Sequence, residues 1–142
     1  MIGAKNVKGG FVLLSLGLAA GLAMSLYAFE PLVQPPASLA HYDDLPRRLI
    51  RLAHISAIML PLLNIVLGPW IDRVTLSRPA KEAASLLLLL GGALVPAALA
   101  LQAVWAPARA VHVAGLPVVA FCLGVFQLTL GTLRTTLRED LR

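Results

Sequence analysis

The chain has 142 residues, 58% hydrophobic and 13% charged, with a mean hydropathy of +0.83. Soluble domains carry about 25% charged residues, so this composition excludes a soluble globular protein and points to an integral membrane one, with the lipid bilayer as its first partner. The net charge of +5 sits at the ends of apolar runs, where basic residues set topology, and leaves no footprint for nucleic acid.

Residues 1–10 are short and polar, with Lys5 and Lys8. A 19-residue apolar run follows, Phe11 to Phe29. It exceeds the apolar core of a signal peptide, about 7–15 residues, and Leu26-Tyr27-Ala28 is a poor cleavage site. We read it as a retained first membrane helix over 11–29. Gly17 and Gly21 form a G-x-x-x-G, which lets two helix backbones approach closely.

Residues 30–48 read as the longest loop, with Pro31, Pro35 and Pro36 preventing regular helix. Asp43 or Asp44 can cap the next helix, with Pro46 in its first turn. His41 beside these two carboxylates offers too few ligands for a coherent metal site, so capping and solvation are the preferred reading.

The second helix is expected over 46–68. It crosses the hydrocarbon if Arg51 snorkels to the interface and His54 sits just inside. Pro61 should kink it. Asn64 can hydrogen-bond a neighbouring helix or the carbonyls freed by Pro61. Gly68-Pro69 should end it, and Trp70 fits an interfacial anchor. Residues 71–82 form a polar turn.

The third helix is expected over 83–105, with five consecutive leucines, Leu86 to Leu90. It reads as a lipid-facing packing helix with a flexible middle at Gly91-Gly92. After a very short turn at 106–109, the fourth helix is expected over 108–133, with Pro107 in its first turn and a kink at Pro117. Cys122 is the single cysteine, which excludes an internal disulfide, and no C-x-x-C-H motif for covalent haem attachment is present. Its preferred role is that of a small buried or lipid-facing residue. The tail over 134–142 should lie at the surface.

The fold class is therefore an all-α integral membrane protein, a four-transmembrane-helix bundle with short loops in one domain. Eight basic residues (Lys5, Lys8, Arg73, Arg78, Lys81, Arg134, Arg138, Arg142) lie on one side and four (Arg47, Arg48, Arg51, Arg109) on the other. That bias favours both termini in the cytoplasm, in a bacterial inner membrane.

One pattern repeats. Arg51-Leu52-Ala53-His54-Ile55-Ser56-Ala57 is echoed by Arg109-Ala110-Val111-His112-Val113-Ala114-Gly115. Each places an Arg three residues before a His, then a β-branched residue and two small ones. The echo suggests a two-helix parallel repeat. Arg and His at i and i+3 share a helix face, and ionisable groups inside membrane segments are functional candidates by default. Helices two and four run in the same direction, so His54 and His112 fall in the outer leaflet, about 4–5 Å apart in depth.

A b-type haem explains the most residues together. His54 and His112 would be its axial ligands, and Arg51 and Arg109 would meet its propionates, since guanidinium matches carboxylate geometry. Small neighbours would leave room for the macrocycle. The expected function is electron transfer in a small membrane subunit of a respiratory or photosynthetic complex, with no catalytic chemistry of its own and with other membrane subunits as partners. Three alternatives stand beside it: a (bacterio)chlorophyll, which needs one imidazole; a metal site built from His41, His54 and His112, which lacks a soft ligand; and a structural or assembly subunit without a cofactor. The membrane runs hold no carboxylate, which argues against an acidic proton or cation relay.

Overall fold

The computed structural model describes residues 1–28, 32–35, 37–105 and 113–140. These residues form four α-helices: α1 (Gly3–Ala28), α2 (Leu45–Arg73), α3 (Arg78–Trp105) and α4 (Gly115–Asp140), with a 3-10 turn at Ala37–Leu39. All four are long and apolar enough to cross a membrane, and no strand occurs among the described residues. A helix needs about 20 residues to cross the hydrocarbon, so each has turns to spare for the interface.

The helices depart from their expected bounds, and for α1 and α2 the contacts show why. α1 begins eight positions early, at Gly3, because α2 supplies its cap. The Ile2 and Gly3 amides donate to the two Asp72 carboxylate oxygens at 2.9 and 3.2 Å. A helix start leaves amides unsatisfied, and an anion there is favourable. α2 runs past Gly68-Pro69 to Arg73. The proline forfeits one backbone bond, which a membrane helix tolerates. Gly68 is a packing residue here: a β-carbon on it would lie 2.8 Å from the Gly3 carbonyl oxygen and 2.7 Å from the Val7 side chain. With α2 longer and α3 starting at Arg78, the expected polar turn shrinks to residues 74–77.

Pro117 does not interrupt α4. It lies in the first turn, where its missing amide would have had no helical partner. Val113 and Ala114 form a turn, so the helix starts at Gly115 and not near 108, and it continues through the expected surface tail to Asp140. Asp44 occupies the N-cap of α2, but its side chain makes no capping bond; Pro46 in the first turn already lacks one amide.

The helices alternate in direction. Gly3 meets Gly68 and Gly21 meets His54, so α1 and α2 are antiparallel; Gly91 meets Phe121 and Gly131 meets Leu76 across the α3–α4 hairpin. α1 packs chiefly on α2, α2 on α3, and α3 on α4, with a lighter α1–α3 contact. The helix expected to face lipid is thus the central one. α3 buries Ala84, Ser85, Leu88, Gly91, Gly92, Val95, Leu99, Gln102 and Ala103. One core cluster joins Ile71, Val74, Ala84, Leu88, Phe121 and Leu128 near the chain-terminal end. A second, at the other end, joins Ala53, Val95, Leu99 and Ala114.

Candidate functional site

His54 lies on the face of α2 that meets α1. A β-carbon at Gly21 would collide with its ring, whose Cε1–Nε2 edge faces that glycine. Gly17, one turn earlier, lies against the carbonyl of Ala57. Pro61 has no amide to return to that carbonyl, so the close Gly17 backbone covers an acceptor that the helix cannot satisfy. The G-x-x-x-G therefore does two things: it seats α1 on the freed carbonyl and leaves a notch for the imidazole.

The His54 Nδ1 atom is buried and has no hydrogen-bond partner among the described residues. The ring lines an apolar recess of about 270 Å³, shared with Ala20, Met24, Ala53, Ala57 and Ala100. A second recess of about 190 Å³ shares Ala20, Ala57 and Pro96 with it and reaches Gly92. Together they approach the size of small-molecule sites, roughly 300–1,000 Å³. The walls come from α1, α2 and α3, and none of the lining residues lies on α4.

Arg51 stacks its guanidinium on the Tyr42 ring, 4.0 Å from the centroid, and Arg47 lies 5.3 Å from the same ring. Arg47 also donates to the carbonyls of Leu39 and Ala40 at 3.3 and 3.4 Å. The loop before α2 is thereby folded over a cationic helix start, one turn outward from His54. His112 and Arg109 lie outside the described residues, as does Pro107. What is described nearby is Ala114, which packs with Val95 and Leu99 in the same cluster as Ala53, the neighbour of His54. Ala114, from the described end of the second stretch, thus shares a packed layer with Ala53 of the first. The depth match inferred for the two histidines rested on a helix starting near 108 and does not follow from an α4 that starts at Gly115. Among the described residues, no three His, Cys, Asp or Glu side chains converge on a point.

Beneath the recess lies a buried polar clamp. Asn6 donates to the Asn64 side-chain oxygen at 2.8 Å and to the Ser85 carbonyl at 3.2 Å, and Ser85 Oγ donates to Asn6 Oδ1. Asn64 donates to the carbonyls of Leu88 at 3.0 Å and Leu60 at 3.1 Å. Asn64 does bond a neighbouring helix, as expected, but not the Ala57 carbonyl that Pro61 frees. Asn6, read as part of a polar tail, is fully buried. Its signal was present: Gly3, Asn6, Gly10 and Gly17 are all buried, and the three glycines recur every seven residues, the period of a helix–helix seam. Met24 continues that period onto the wall beside His54.

Comparison with protein-family models, curated proteins and solved structures gives no match.

Proposed function

We propose that the chain is a small membrane subunit of a respiratory or photosynthetic electron-transfer complex and that it holds a b-type haem on His54. The observation that carries this reading is the unpartnered, buried imidazole nitrogen beside an apolar crevice with alanine walls. Leaving a buried polar atom unpaired costs about 1–3 kcal/mol. A ligating histidine uses one ring nitrogen for the metal and the other for a hydrogen bond; a metal at Nδ1 would satisfy that atom once the ring turns from its buried setting toward the recess. In this proposal His112 would be the second ligand, and Arg51 and Arg109 would neutralise the propionates. The recess lies on the α1 side of His54, so Met24 on its wall is a competing ligand; thioether sulfur also binds haem iron. The crevice would take only one edge of a macrocycle, and a neighbouring subunit would cover the rest. We assign both termini to the cytoplasm and the membrane to a bacterial inner membrane, from the basic bias.

Two alternatives draw on particular observations. A (bacterio)chlorophyll needs a single imidazole, as a one-histidine recess provides. A structural or assembly subunit is favoured by the seating of the His54 ring against Gly21, which a packing role explains by itself.

The test is an absorption spectrum and a haem extraction on the purified complex, repeated for His54→Ala and His112→Ala. The expected outcome is a low-spin haem spectrum that His54→Ala abolishes. Arg51→Ala should retain the haem and lower its midpoint potential, because a nearby cation favours the added electron; Arg51→Lys should shift it less. Absence of a tetrapyrrole, or a spectrum indifferent to both histidine variants, removes the proposal. Chlorophyll lost on His54→Ala would replace it with the pigment reading.

A further inference from the structure

At the chain-terminal end of the bundle, α1 and α3 leave a groove of about 440 Å³ between them, lined by Ile2, Lys5, Arg78, Ser85, Leu86 and Leu89 among others. Its chemistry changes with depth. Arg78 stands at the mouth, and Leu86 and Leu89 lie eight and eleven positions further along α3, about 12–17 Å deeper at 1.5 Å per residue. On α1, Lys5 precedes Asn6, which bonds Ser85, so its backbone is level with the leucines and its long side chain carries the charge outward toward Arg78. Leu86 is more than half exposed, so the lower groove is open to lipid tails. Glu82 also lines the groove, and Lys5 and Arg78 outweigh it, so the groove carries net positive charge. Arg78 pairs with Glu82 through Nε alone, at 3.0 Å, and both side chains are mostly exposed, which leaves the two terminal guanidinium nitrogens for another acceptor. Lys5 makes no side-chain bond among the described residues.

We infer that this groove is a binding site for one anionic phospholipid, with its phosphate between Lys5 and Arg78 and one acyl chain along Leu86 and Leu89. The charge complementarity selects an anionic head group, and the apolar floor selects a lipid over a free anion. Basic recesses between membrane helices hold anionic lipids by this combination of charge and depth. The site is separate from His54, which lies toward the other end of α2, and does not depend on a cofactor there.

The experiment is native mass spectrometry of the detergent-purified full chain, titrated with phosphatidylglycerol, phosphatidylcholine or inorganic phosphate. Variants are Lys5→Gln, Arg78→Gln, the double variant, and Arg134→Gln as a charge-matched control at the same end outside the groove. Wild type should retain one phosphatidylglycerol in preference to phosphatidylcholine. Each groove variant should weaken that binding about five-fold and the double variant about thirty-fold, while Arg134→Gln leaves it unchanged. Leu89→Trp, which fills the lower groove without altering charge, should also weaken it. Equal retention of the two lipids, or equal loss in Arg134→Gln, overturns the site. Phosphate that displaces the lipid at millimolar concentration, with Leu89→Trp indifferent, replaces it with a plain anion site.

Discussion

At the scale of single residues, the interior is organised by amides and glycines. In a bilayer, apolar surface gains nothing by moving from lipid to a helix interface, so close packing and interhelical hydrogen bonds take over. Asn64 is the hub of this network, bonded to α1 through Asn6 and to α3 through the Leu88 carbonyl. Asn64→Leu would keep the volume and remove both links. Interhelical bonds in membrane proteins average about 0.6 kcal/mol each, and the abandoned Asn6 amide adds a desolvation cost. We expect a loss of about 2 kcal/mol in reversible unfolding from mixed micelles; a loss below about 0.5 kcal/mol would mean that glycine packing alone holds the three helices. Asn64 could be read from the sequence as a lone amide in an apolar run. Asn6 could not be read that way, because polar neighbours at Lys5 and Lys8 disguised it as tail.

At the scale of elements, helix existence and direction were readable, and helix ends were not. Hydropathy marks what lies in hydrocarbon; helix ends depend on which groups satisfy their amides and carbonyls. α1 shows this most clearly, since its first turn is closed by Asp72 from the far end of α2. Removing that carboxylate by Asp72→Ala should cost about 1 kcal/mol, as for other N-terminal caps. The loss should be local: amide exchange in micelles should accelerate over residues 2–6 and stay unchanged around Leu88. Exchange that is uniform, or unaltered, would show that α1 starts without this cap. α3 differs from expectation for a related reason. Its leucines suggested lipid exposure, but its buried face is marked by Ala84, Ser85, Gly91 and Gly92, small and polar residues recurring at helical spacing. In a membrane the small face, more than the oily one, reports burial.

At the scale of the whole molecule, four apolar spans in alternating directions could be read directly from the sequence, and they bring the two ends of the chain to one end of the bundle. Thr75 and Thr135 join the α2–α3 link to the late part of α4, with the Thr75 amide donating to Thr135 Oγ1 at 2.8 Å, and Trp70 donates to Thr132 at 2.7 Å. The opposite end carries Arg47, Arg48 and Arg51. The candidate site was half readable: His54 stood out as an ionisable group in an apolar run, while its setting against Gly21 and Met24 required the α1–α2 register, which no local pattern states. The bundle geometry also sharpens the topology prediction. Because Thr75 and Thr135 touch, reporter fusions at residue 75 and after residue 142 must report the same compartment in any insertion that preserves this fold. The basic bias then selects the cytoplasm for that compartment. Cytoplasmic activity at both positions is the expected outcome. Agreement on the opposite side would invert the charge assignment and put His54 in the cytoplasmic leaflet, whereas disagreement between the two fusions would contradict the four-span bundle itself.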